Sequence, residues 1–269
     1  MDYAMSALHP FVLSSIRFTI AFFISYAVFF KRMKQVSKST LKYAFVIGVF
    51  LTSVYAFTTF GIKHTSLTNV GFIVALPVVF TPLINYFFRK IKPDRKMTLV
   101  LLLATFGMAL MTLNEKFIPA LGDILCLIAA IAYSVDIILT EIAVQKEDVN
   151  AFQLGIFVIG TVAILMTFLN VLFVHDTIKA DISIWVAVLF LAVFSTAFAF
   201  IVQSVAQQYT SSNHVGLIFT LEPVFAAFAA YWIVGEILLP RAYVGAFLML
   251  IAVIWAEVDL KSFFKKEKF

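Results

Sequence analysis

Apolar residues run in long blocks along this chain, separated by short polar clusters. Nine blocks approach the ~20 residues that a bilayer-spanning helix needs. They cover 11–30, 43–62, 70–88, 97–113, 121–140, 152–173, 184–206, 215–234 and 243–260. A helix of a soluble domain would carry a polar stripe at 3.6-residue spacing. "LIFTLEPVFAAFAAYWIV" and "WVAVLFLAVFSTAFAFIV" are apolar all round instead. Membrane β-strands would be shorter and would alternate polar with apolar residues, and these blocks do not alternate. The pattern predicts an all-α, polytopic membrane helix bundle. The connections are too short to hold a separate soluble domain.

Composition agrees. Hydrophobic residues make up 62% of the 269 and charged ones 13%, and mean hydropathy is +1.02. Soluble domains carry about a quarter charged residues. The net charge of +5 could have signalled a nucleic-acid partner, but its distribution argues otherwise. Five Lys/Arg lie in 31–42, five in 89–96, four in 261–269 and one in 141–150. Those fifteen fall on one side of the predicted bundle. The other side has Lys63, Lys116, Lys179 and Arg241. The positive-inside rule makes the fifteen-residue side, and the C-terminus, cytoplasmic in a cell membrane. No basic stripe with interleaved aromatics exists, so a lipid bilayer is the expected partner and nucleic acid is not. With nine spans the N-terminus falls outside, although "MDYAMSALHPF" has no basic residue of a signal peptide.

Self-similarity adds organisation. "TNVGFIVALPVVFTPLINYFF" (68–88) aligns with "NHVGLIFTLEPVFAAFAAYWI" (213–233) at an offset of 145. Val70-Gly71 falls on Val215-Gly216, Leu76 on Leu221, Val79-Phe80 on Val224-Phe225, and Tyr86 on Tyr231. By the charge rule the two copies cross in opposite directions. Inverted repeats of this kind place a transporter's site near the midplane. The halves divide as 1–117, with four spans, and 118–269, with five. A first span of the first half is therefore expected to be missing.

The chain resembles the EamA-type exporters of the drug/metabolite transporter superfamily. The resemblance is carried by "HPFVLSSIRF", "SLTNVGFIVALPVVFTPLI", "LGDILCLIAAIAYSVDIILTE", "SSNHVGLIFTLEPVFAAF" and the "GE" at 235–236. It covers essentially the whole chain and implies ten helices in two inverted five-helix repeats, with both termini cytoplasmic. The family's first helix is expected to be missing here. The resemblance implies export or exchange of small metabolites such as amino acids.

Ionisable residues in spans are costly and are functional candidates by default. Arg17 lies about two turns into the first span from its outer end; Asp136 and Glu222 lie roughly 10 Å from the inner interface. Arg17 could instead snorkel to head groups, Asp136 could reach the interface, and Glu222 could bond an unpaired backbone group. Asn85, Tyr133 and Gln203, with Ser134, Ser195 and Thr196, are weaker candidates, since such residues commonly bond helix to helix. Pro77, Pro82 and Pro223 each remove a backbone donor and are expected to kink their helices. Glu222 and Asp136 are expected to meet a substrate amine or a coupling proton, and Arg17 a substrate carboxylate.

No nucleotide, zinc-protease or dinucleotide motif occurs, and the four histidines do not form a metal-ligand set. No cofactor is expected and no internal disulfide can form, because Cys126 is the single cysteine. Transport would then be secondary, with a small-molecule substrate, and a homo-oligomer is compatible with the sequence. Two rival readings are a truncated, transport-inactive membrane protein or subunit and an intramembrane enzyme. The enzyme would need Asp136 and Glu222 to act as a pair.

Overall fold

The computed structural model describes residues 8–65, 67–112, 121–174, 181–234 and 239–257. Among them every regular element is helical. Pro10 starts α1 (Pro10–Val28), and His9 caps it by accepting a bond from the Phe11 amide. A 3₁₀ turn (Phe30–Met33) leads to α2 (Lys38–Ile62), α3 (Leu67–Val74), α4 (Pro77–Arg89) and α5 (Arg95–Thr112). Then come α6 (Leu121–Val144) and α7 (Ala151–Phe173). The next helix, α8, runs from Ile182–Phe190 through a π-helical stretch, Leu191–Phe198, into Ala199–Ala206. The chain continues through α9 (Ser212–Phe219), α10 (Glu222–Val234) and α11 (Pro240–Glu257).

Six of these stretches are long and apolar enough to cross a membrane: α1, α2, Val70–Arg89, α6, α7 and Ile182–Ala206. The shorter apolar helix Pro240–Ala256 accompanies them. Each of the nine apolar blocks is largely helical over its described residues, but 70–88 and 215–234 are each two helices rather than one. The basic tail 261–269 and the "GE" at 235–236 lie outside the described residues. Phe23, Phe88, Ile164, Phe168 and Phe225 are among the many large apolar side chains left exposed. On a soluble monomer this would be a sticky surface; in a bilayer it is the ordinary lipid-facing one.

The chain packs as two compact units. The first takes Met1–Phe60 and Val135–Ser211. In it α1 lies along α7 and the π stretch of α8. Small residues allow the close approach: a Cβ on Gly160 would stand 2.7 Å from the Phe22 ring, and one on Gly155 3.0 Å from the Ile201 Cα. Phe11, Phe60 and Phe173 close one end as a mutual cluster with ring centroids 5.3–6.1 Å apart. Phe18 packs edge-on to Tyr55 and tilted against Phe200.

The second unit takes Gly61–Ser134 and Ser212–Phe269. Its core is Val78, Val100, Ala104, Met108, Leu217, Met249 and Ala252. The α5–α11 contact is backbone on backbone. A Cβ on Gly245 would come 2.4 Å from the Gly107 carbonyl oxygen, and one on Gly107 2.7 Å from the Gly245 oxygen. Without a hydrophobic drive between helices in lipid, such small-residue contacts carry the association.

Within this unit the offset of 145 returns as geometry. Leu67–Val74 maps onto Ser212–Phe219, Pro77–Arg89 onto Glu222–Val234, and Arg95–Thr112 onto Pro240–Glu257, end for end. The junctions match as well. Ala75 and Leu76 donate to Phe72 and Ile73 three residues back, while Thr220 and Leu221 donate to Leu217 and Ile218. Both chains then restart a helix.

This corrects the expected proline kinks. Pro77 and Pro223 do not bend a continuous helix. They stand at the first and second positions of a new one. The reason is that an amide in the first turn of a helix has no intrahelical partner, so proline there removes nothing. Pro82 lies inside α4.

Candidate functional site

In the first unit, Arg17 sits on the second turn of α1. It is only 2% exposed, so it does not snorkel to an interface. Its guanidinium carbon stands 5.1 Å from the Phe18 ring centroid and 5.3 Å from that of Tyr55. The two faces supply cation–π attraction, which strengthens on desolvation. The Arg17 Nε has no hydrogen-bond partner among the described residues.

Asp136 lies two-thirds of the way along α6, also 2% exposed. Its Oδ1 is buried without a partner. Among the described residues no ion pair joins Arg17 to Asp136. Gln203 is half-buried on α8. One turn on, Gln207 donates from Nε2 to the Ile137 carbonyl at 3.0 Å and leaves Oε1 buried without a partner. Thr196 is fully buried in the π stretch, where its hydroxyl donates to the Leu191 carbonyl five residues back at 3.1 Å. Such π segments interrupt helices frequently at functional places.

In the second unit, Glu222 is the first residue of α10, directly behind the break at Thr220-Leu221. Its side chain is exposed. A carboxylate at a helix N-terminus sits where the unpaired amides and the dipole favour negative charge. The break therefore both creates this electropositive end and puts the acid on it. Thr220, fully buried beside it, turns its hydroxyl back to the Leu217 carbonyl at 2.6 Å.

Asn85 is buried on α4 and fully engaged. Its Nδ2 donates to Ser212 Oγ and to Asn213 Oδ1, both at 2.9 Å, and its Oδ1 accepts from Arg89 at 3.2 Å. It ties the last turn of α4 to the first turn of α9. Gly216 on α9 rests against α4, where an added Cβ would meet the Pro77 carbonyl oxygen at 3.4 Å. Its counterpart at the offset, Gly71, faces open space within 4 Å. Tyr133 stacks on Phe219, the last residue of α9, with centroids 5.5 Å apart and planes 11° from parallel.

The six predicted side chains thus divide. Arg17, Asp136 and Gln203 belong to the first unit, and Asn85, Tyr133 and Glu222 to the second. Sequence reasoning did not single out Ser212, Asn213, Gln207 or the buried Glu141. Glu141 carries a signal, since it directly follows the apolar run 121–140 and continues α6 as a buried acid. The other three are uncharged, and their importance comes from partners far along the chain. Among the described residues no group of His, Cys, Asp and Glu could hold a metal ion.

Comparison with known proteins places the chain in a family. The model of the EamA-like transporter family matches residues 1–113 and again 120–257. A protein of Archaeoglobus fulgidus described as an uncharacterized transporter is 31% identical over 251 residues, 93% of this chain and 78% of its own length. A second such transporter of that organism is 25% identical over 244 residues, 86% of this chain and 82% of its own. A solved crystal structure is similar with a TM-score of 0.80 at 17% identity, covering 95% of this chain and 90% of its own. At that identity the likeness speaks for the fold.

Proposed function

We propose a carrier's mechanism on one established premise: the chain belongs to the EamA-like transporter family. It is a multi-pass membrane transporter and not an enzyme. Our reading is a secondary carrier of small metabolites such as amino acids, exporting or exchanging them by alternating access between two inverted repeats, 1–117 and 118–269. In this reading all nine apolar segments cross the cell membrane and the C-terminus is cytoplasmic.

One observation carries it. Glu222 is an exposed acid on a broken helix inside an apolar segment. A carboxylate facing hydrocarbon is costly, and broken backbone at membrane depth is tolerated where it is buried in protein or lines a wet cavity. An exposed acid beside such a break therefore argues for a water-filled path. Discontinuous helices at matching places in two halves are where carriers hold substrate. The shared bounds of α3–α5 and α9–α11 at one offset support that reading.

Glu222 takes the substrate amine or a coupling proton. Arg17, buried with an unpartnered Nε, takes a carboxylate. Asp136 and Gln203 are further candidate path residues of the first unit, and Tyr133 and Asn85 of the second. A thermal-unfolding screen of amino acids and related metabolites tests this, because a ligand of the folded state raises apparent stability. We expect at least one amine-bearing compound to stabilise the wild type, with the response lost in Glu222→Gln. A compound that stabilises both equally removes Glu222 from the site.

A further inference from the structure

At the basic end of the first unit, the turn after α1 and the start of α7 enclose a cavity of about 540 Å³. Lys31, Arg32 and Lys34 line it on one side, with Asn150, Phe152 and Gln153 on the other. Its size falls within the range of small-molecule sites. No carboxylate lines it. Among the described residues none pairs with these three cations either. Asp148, which is near in sequence to the α7 side, is engaged by the Ser39 hydroxyl.

The walls are held in place. Gln153 is 7% exposed, and its Nε2 donates to the carbonyls of Arg32 at 2.7 Å and Gln35 at 3.0 Å. That clamps the cationic turn onto α7. Asn150 caps α7 by accepting from the Gln153 amide at 3.1 Å, and its own amide donates to Thr40 Oγ1 at 3.3 Å. The Arg32 guanidinium lies over the Phe152 ring at 5.5 Å, and Lys34 Nζ over the Phe30 ring at 5.7 Å. Both cations are thus oriented by aromatic faces without being neutralised.

We propose that this cavity binds the phosphate group of an anionic lipid. Two facts favour a lipid over free phosphate. Val28 and Phe30 are exposed apolar residues directly before the cations, so apolar surface for acyl chains adjoins charge at head-group level. The positive-inside rule also puts this end at the leaflet surface where anionic lipids concentrate. The site needs nothing from the proposed transport cycle and stands apart from it.

The test uses the full chain purified in a maltoside detergent. Unfolding temperature is followed while phosphatidylglycerol, phosphatidylcholine or inorganic phosphate is titrated in. We expect saturable stabilisation by phosphatidylglycerol and none by phosphatidylcholine. The Lys31→Gln/Lys34→Gln double variant should need at least about tenfold more phosphatidylglycerol for the same effect. The Lys31→Arg/Lys34→Arg variant keeps the charge and should keep the wild-type response. Equal responses to both lipids, or an unchanged response in the Gln variant, overturn the site. Stabilisation by inorganic phosphate with none from phosphatidylglycerol overturns its assignment to lipid.

Discussion

Glu222 and Asn85 show how differently two polar residues in apolar helices can behave. Asn85 has its amide nitrogen spent on Ser212 and Asn213 and its oxygen on Arg89. It works as a fastener. Asn85→Ala should lower stability by about 1–3 kcal/mol, because it strips the donor from the buried Asn213 oxygen; thermal unfolding in detergent reads this directly. Glu222 is exposed and sits at a helix start. Glu222→Gln should therefore leave the unfolding temperature close to wild type. Arg17, Asp136 and Glu222 were legible in the sequence because a charge inside an apolar run is conspicuous whatever surrounds it. Whether Asn85 fastens or binds was not legible. That depends on Ser212 and Asn213, more than a hundred residues away, and on a packing angle that no local pattern encodes. Arg17 illustrates the same limit. Its presence was plain, and its enclosure by Phe18 and Tyr55 was not.

At the level of elements, the long apolar blocks located the helices well. The breaks were harder to read. "ALPVV" and "TLEPV" look like kinks in sequence, because proline alone does not say whether the helix bends or restarts. What decides is the pair of three-residue-back bonds before it. This gives a prediction. Pro223→Ala should change stability by less than about 1 kcal/mol, since position two of a helix has no amide bond to regain. The π stretch of α8 had no sequence signal at all; its one visible mark, the Thr196 hydroxyl on Leu191, exists only once the helix has widened. Gly245 in the α5–α11 contact and Gly71 on α3 make an opposite-sign test. Gly245→Ala should destabilise by about 1–3 kcal/mol, because its Cβ meets a backbone oxygen that cannot step aside. Gly71→Ala has open space around it and should stabilise by up to about 1 kcal/mol through helix propensity. Unfolding of the two variants side by side measures both.

For the whole molecule, the division into sequence halves and the division into packed units are different things. The second unit gathers α3, α4 and α5 from before residue 118 and α9, α10 and α11 from after it. A linear repeat is visible in sequence, while the packing of its matching members into one unit is a tertiary fact. The orientation of the whole rests on the charge rule and can be checked in intact cells. With Cys126 replaced by Ala, a cysteine at Lys63 should react with a membrane-impermeant maleimide, and one at Lys34 should react only after permeabilisation. The reverse pattern would invert the molecule. Transport itself is the sharpest question. Once the stability screen has named a ligand, its flux into proteoliposomes holding no nucleotide should be driven by its own gradient. That flux should fall at least about tenfold in Glu222→Gln at equal protein incorporation. Undiminished flux in that variant, or flux that requires ATP, would contradict a secondary carrier whose path runs past the broken helix.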